Sequence, residues 1–210
     1  MDDYKDAIAA CCKQLRLSVN LVENAMIQTG ESHQEYLYNL LRDEVQYRKS
    51  TRVAKLINTA GFPLQHSFTS FDPSEVQFPV SVTVESLKAL DFYHSGNNLV
   101  MYGSTGTGKT MLSICIGMEA CKKGIPVKFF RTAALINQLS EAQEHGTLSQ
   151  LHRKMDKAEI IILDEFGYVP YNRTGSQLLF DYLSEIHEKK VIILNTNLEF
   201  SRWVNVLYDE

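Results

Sequence analysis

The stretch GSTGTGKT at 103–110 constrains this chain more tightly than any other part of it. It follows an apolar run, NLVMY, and opens onto a helical pattern, MLSICIGMEACKK. Gly103-x-x-x-x-Gly108-Lys109-Thr110 is the Walker A spacing, placed where a phosphate-binding loop must be, after a strand and before a helix. Its glycines let backbone N–H groups turn onto phosphate oxygens, and the helix N-terminus adds partial positive charge. The predicted cradle is Gly103, Ser104, Thr105, Gly106, Thr107, Gly108, Lys109, Thr110 and Met111. In it Lys109 would neutralise the β and γ phosphates of ATP, and the Thr110 hydroxyl would ligate Mg2+. A chance glycine-rich turn is the bland alternative, and the strand and helix on either side count against it.

The text downstream alternates in the same manner: strand VKFFR, helices AALINQLSEAQEH and LSQLHRKM, strand EIIILDE, helix SQLLFDYLSEIHEKK, strand VIILNTN. Strands that read as continuous apolar runs between helices indicate a parallel sheet covered on both faces. One of these runs ends abruptly in two carboxylates. Asp164 suits the Walker B role of holding Mg2+, and Glu165 beside it would face the γ phosphate as a base or water-orienting group. The next strand ends in ILNTN, and because ligands of open parallel sheets lie beyond the carboxyl ends of the strands, Asn195 or Asn197 is expected near the phosphates.

The first sixty or so residues read as helices instead. Ser18 and Ser32 are expected N-caps, and SHQE (32–35) has the capping-box pattern. Leu37, Leu41, Val45, Val53, Leu56 and Ile57 then recur at helical spacing until Gly61 and Pro63 stop them. This predicts a long helix, on the order of 40 Å, after two shorter ones. Residues 64–83, with two prolines and no sustained period, read as a surface-hugging linker anchored by Phe68, Phe71 and Phe78. The expected organisation is a small all-α domain over 1–62, a linker over 63–83 and an α/β nucleotide-binding core over 84–210, with residues 84–93 forming the core's first helix.

Composition excludes more than it identifies. With 44% hydrophobic and 22% charged residues the chain is an ordinary globular one, and it has no apolar run approaching the ~20 residues that span a bilayer. The N-terminus carries acids where a signal peptide carries bases, so no membrane association and a cytoplasmic location are expected. Cys11, Cys12, Cys115 and Cys121 lack metal-ligand spacing and read as small buried apolar residues. A net charge of −4 means that contact with nucleic acid would rely on local patches.

Beyond these motifs, the segments NLVMYGSTGTGKTMLSICIGMEACKKGIPVKFFRTAALINQL, IIILDEFGYVPYNRTGSQLLFDYLSEIHEKK and LNTNLEFSRW resemble the IstB/DnaC family of AAA+ ATPases, and specifically its IstB-like members. The likeness extends to CKQLRLS and YLYNLLRDEVQYRKSTR near the N-terminus, and the DE-x-GY-x-P segment is distinctive. The resemblance implies a RecA-like sheet in the order 5-1-4-3-2, ATP and Mg2+ as cofactors, and ATP hydrolysis with Lys109, Glu165 and Asn197 in the catalytic set. Alignment on TNLEFSRW makes Asn197, rather than Asn195, the sensor. It further implies a homo-oligomer on double-stranded DNA that regulates or delivers target DNA to a transposase, with self-assembly and DNA contact in the N-terminal helices.

Two departures qualify that picture. In the family a trans-acting arginine and the fifth strand follow the SRW segment, and the chain given ends at Glu210; it is therefore expected to be shortened, to leave the first strand at a sheet edge and to hydrolyse ATP weakly. Ile186 stands where the family usually has arginine. For DNA, Arg48, Arg52 and Lys55 fall at i, i+4 and i+7 on the long helix with Lys49 beside them, no acid intervening between Glu44 and Glu75, although a merely solvated face explains the pattern too. Arg131, Arg153 and Lys154 are weaker candidates. The rival readings are a helicase loader acting on single strands, a nucleotide-gated scaffold with little turnover and, least favoured, a small-molecule kinase.

Overall fold

A computed structural model describes residues 2–74, 76–168 and 173–204, with side chains from Tyr4 onward. The chain divides into two compact units, 1–55 and 56–210. The division falls inside the long helix rather than at its end, because Leu56, Ile57 and Ala60 pack into the core of the second unit.

The first unit contains α1 (Asp2–Gln14), α2 (Val19–Ile27) and most of α3 (His33–Ala60). Its small core gathers Cys12, Leu21, Val22 and Leu40, with Ile8, Leu17 and Tyr36 at the margin. Both expected caps form. The Ser18 hydroxyl accepts the Leu21 N–H at 3.3 Å, and that of Ser32 accepts the Glu35 N–H at 3.1 Å. The return half of the box is displaced by one residue, since Glu35 accepts the Glu31 N–H at 2.8 Å rather than that of Ser32.

In the second unit the linker has no regular structure among its described residues, and Phe71 is buried while Phe68 and Phe78 pack against the same core. The helix expected over 84–93 is broken. Leu90 adopts a left-handed conformation, φ 69°, separating α4 (Val84–Ala89) from α5 (Asp91–His94), and its fully buried side chain holds it there. Then follow β1 (Leu99–Tyr102), α6 (Lys109–Lys122), β2 (Val127–Arg131), α7 (Thr132–Glu144), α8 (Leu148–Met155), β3 (Ile160–Phe166), α9 (Arg173–Ile186), β4 (Val191–Thr196) and a 3-10 turn at Phe200–Arg202.

Among the described residues the strands form one parallel sheet in the order β1-β4-β3-β2, with β1 at an edge. Alternation along β3 shows how both faces are buried. Ile160 and Ile162 join the core beneath α6, whereas Ile161 and Leu163 join the one with α7 and α9. Ile186, where the resemblance leads one to expect arginine, lies buried among the apolar side chains of the latter. Of the cysteines, Cys12, Cys115 and Cys121 are buried and Cys11 is exposed. Among the described residues no helix is long and apolar enough to cross a membrane.

Candidate nucleotide site

Parallel strands carry their carboxyl ends to one rim, and the loop after β1, the acids ending β3 and the asparagines ending β4 meet there in a single cleft. Thr105 to Met111 line it, together with Arg131, Asp164, Glu165, Tyr168, Asn195, Thr196 and Asn197. Pro63, Leu64 and His66 close one side. Gly106 and Gly108 have φ of 87° and 82°. No atom lies within 4 Å of where a Cβ on Gly106 would sit, so conformation rather than space selects glycine.

Gly103 starts the loop by donating its N–H to the Thr196 carbonyl at 3.2 Å. Lys109, the first residue of α6, folds back over the loop and donates to the carbonyls of Gly103 (2.8 Å) and Ser104 (2.7 Å). Burial lowers the pKa of its ammonium, and the charge of Asp164 opposes the shift. These carbonyl contacts fix the cation at the mouth of the loop, where an anion bound by the loop N–H groups would meet it.

The Thr110 hydroxyl donates to the Asp164 carboxylate, at 2.9 and 3.0 Å to its two oxygens. Asp164 is buried, and it accepts a third bond from the Asn195 amide at 2.8 Å. The same amide nitrogen donates to Ser113 at 2.9 Å. An ionised carboxylate only accepts, so the nitrogen of Asn195 must face it, which leaves Asn195 Oδ1 buried without a partner among the described residues. The Asp164 carboxylate and the Thr110 hydroxyl are oxygen donors of the kind that a hard divalent cation retaining several waters would use.

Glu165 is exposed, with its carboxylate 4.0 Å from the Arg131 guanidinium. The structure thus puts Arg131, expected as a nucleic-acid contact, in the cleft beside Glu165. It also separates the two asparagines. Asn195 is a buried strand residue bonded to Asp164, while Asn197 lies exposed just beyond the strand and lines the cleft. Alignment favoured Asn197 and did not anticipate the role of Asn195 in orienting Asp164. The missed signal was the run LNT itself: polar residues inside a fully buried strand need internal partners.

The remaining basic candidates lie elsewhere. Arg153 and Lys154 are exposed in the last turn of α8. Lys49, Arg52 and Lys55 are exposed on α3. Arg48 is engaged in the fold, donating to Glu44 at 2.7 Å and to the Arg16 carbonyl. Of the DE-x-GY-x-P segment, Val169 and Pro170 lie outside the described residues.

Comparison with known proteins gives a consistent result. The family model described as IstB-like ATP binding protein matches residues 12–210. The ATP-binding protein of insertion sequence IS5376 from Geobacillus stearothermophilus is 29% identical over 210 residues, covering 98% of this chain and 84% of that protein. That of IS21 from Pseudomonas aeruginosa is 30% identical over 191 residues, covering 90% and 72%. Among solved structures, AMPPCP-bound DnaA from Aquifex aeolicus superposes with a TM-score of 0.59 at 21% identity, over 70% of this chain and 46% of that one. The DnaC helicase loader superposes with 0.51 at 23%, over 63% and 83%. At these identities the structural matches establish the fold alone, a parallel α/β P-loop core.

Proposed function

Because this chain belongs to the IstB-like ATP-binding protein family, we propose that it is an ATP-driven switch which binds ATP with Mg2+, assembles on duplex DNA, and regulates or delivers that DNA to a transposase. The observation that carries the nucleotide part is the convergence of Thr110, Asp164 and Asn195 at the mouth of the loop headed by Lys109. Thr110 and Asp164 would hold Mg2+, whose bound charge offsets that of the phosphates. Lys109 neutralises the β and γ phosphates, Glu165 orients the attacking water and accepts its proton, and Asn197 contacts the γ phosphate from the strand end.

The relatives' occurrence in insertion sequences supports the transposition reading. Lys49, Arg52 and Lys55 on α3, and Arg153 and Lys154 on α8, are the proposed phosphate contacts. The fold shared with the DnaC helicase loader keeps one alternative in play, which a salt-matched comparison of duplex and single-stranded DNA resolves. Duplex binding that strengthens with ATP is expected; a single-strand preference would assign the chain to the loader class.

The switch is tested by Glu165→Gln. ATP binding should persist, turnover should fall by about 10²-fold or more, and ATP-dependent DNA complexes should outlive those of the wild type. Unchanged complex lifetimes would show that hydrolysis is not the release step.

A further inference from the structure

Glu165 is one of the few non-glycine residues with positive φ, at 57°. The cause lies in the sheet register. Leu163 pairs with Leu194 and Phe166 with Thr196, so Asp164 and Glu165 on β3 stand against Asn195 alone on β4. That is a β-bulge, and the left-handed residue within it is the acid proposed to handle the attacking water. An L side chain stays left-handed only where surrounding structure requires it.

Two buried hydroxyls supply the requirement. Thr132, the first residue of α7 and fully buried, donates to the carbonyl of Asp164 at 2.8 Å. Thr196, the last residue of β4 and only 2% exposed, donates to the carbonyl of Phe166 at 2.8 Å. These carbonyls lie on either side of Glu165. Thr196 ties the arrangement further, since its hydroxyl accepts the Leu198 N–H at 3.0 Å and its carbonyl accepts the N–H of Gly103. The bulge is thereby bonded both to the start of the phosphate loop and to the segment after β4.

We propose that Thr132 and Thr196 are positioning residues for ATP hydrolysis, clamping the backbone on both sides of Glu165 so that its carboxylate projects into the cleft beside Arg131 while Asp164 stays buried under Thr110. Thr132 is fully buried, and the Thr196 hydroxyl is taken up by the Phe166 carbonyl and the Leu198 N–H, so both act through Glu165. The inference rests on the ATPase reading above for its kinetic consequence, and on the bulge alone for its structural one.

The kinetic arm uses Thr132→Val and Thr196→Val, which keep the branched shape and remove the hydroxyl. In each, kcat should drop by about 10-fold or more with KM for ATP within ~2-fold, because a small misdirection of a reacting group is costly while phosphate binding is untouched. Thr132→Ser and Thr196→Ser should restore kcat to within ~3-fold of wild type. In a Glu165→Gln background the valine substitutions should cause no further loss; a full multiplicative loss there would overturn the proposal.

The structural arm needs no turnover. Glu165→Gly should raise the melting temperature by about 2–4 °C, whereas Glu165→Ala, left-handed at the same cost, should not. In a chain also carrying Thr132→Val and Thr196→Val the glycine benefit should vanish, since the bulge is then free to relax. If wild type binds ATP without hydrolysing it, the ATPase reading fails and this arm alone decides the clamp. Equal melting shifts with and without the hydroxyls would sink it. Should a valine variant not fold, the serine variants and the glycine–alanine comparison in wild type remain decisive: no difference between glycine and alanine overturns the clamp.

Discussion

Glu44 is buried at 4% exposure between α2 and α3, yet it is held as a carboxylate. Burial pushes its pKa up, but bonds from the Ser18 hydroxyl, Arg48 and the Ser18 N–H outweigh it and leave the pKa below the ordinary 4.5. A lowered folded-state pKa means that the stabilisation is complete above the unfolded value and is lost as pH falls through the folded one. The stability of the N-terminal unit should therefore fall on acidification below about pH 4.5. Glu44→Gln should lose about 1–3 kcal/mol at neutral pH and show a flatter profile over that acid window, measured by helix ellipticity against temperature and pH. The sequence was enough to expect Gly106, Lys109, Thr110 and Asp164 at one cleft, where they lie, because the chemistry proposed for them is fixed by type and spacing. It did not disclose the bond of Asn195 to Asp164, the bonds of Thr132 and Thr196 around the bulge or the commitment of Arg48 to Glu44, which depend on which strand ends and helices are neighbours in space.

Elements were legible where periodicity is sustained, as in α3 and the apolar strands, and failed where burial overrides local preference. Leu90 illustrates the failure. Left-handed backbone costs a non-glycine residue roughly 1–2 kcal/mol, while losing a fully buried leucine costs about 2–5 kcal/mol. Packing wins, and what reads as one helix over 84–93 becomes α4 and α5. Gly117 in α6 presents the opposite balance. Alanine there gains about 1 kcal/mol of helix propensity. Its Cβ, however, would sit 2.8 Å from ring carbons of Phe62 and 3.0 Å from Cδ1 of the fully buried Ile162. Overpacking of this kind costs about 1–3 kcal/mol, so Gly117→Ala should lower the melting temperature by about 2–4 °C despite the better helix former. Combining it with Phe62→Leu should recover part of the loss, and an unchanged melting temperature for the single variant would mean that Phe62 moves aside freely. The glycine is thus a point of close approach between α6 and the start of the linker, which holds the wall formed by Pro63, Leu64 and His66 against the nucleotide cleft.

At the scale of the molecule, the cleft gathers the groups proposed to bind nucleotide and position water, and Arg131 is the arginine that lines it among the described residues. The Arg131 guanidinium stands 4.0 Å from the Glu165 carboxylate. A cation paired with the proposed base is poorly placed to stabilise charge developing on the transferred phosphoryl group, a contribution worth about 10³–10⁵ in rate where such an arginine operates. The proposed assembly supplies a source for it, an arginine from an adjacent subunit. Turnover per molecule should then rise with protein concentration and level off as assembly completes, with duplex DNA shifting the rise to lower concentration. Titrating Glu165→Gln protein into a fixed, dilute amount of wild type separates this from completion within one chain. The variant retains Lys109, Thr110 and Asp164, so it should bind ATP, join the assembly and complete wild-type sites while contributing almost no turnover of its own. Stimulation of the wild type by an inactive partner is the expected result. A specific activity independent of both its own concentration and the added variant would place the whole catalytic set within a single chain and return Arg131 to the reaction itself.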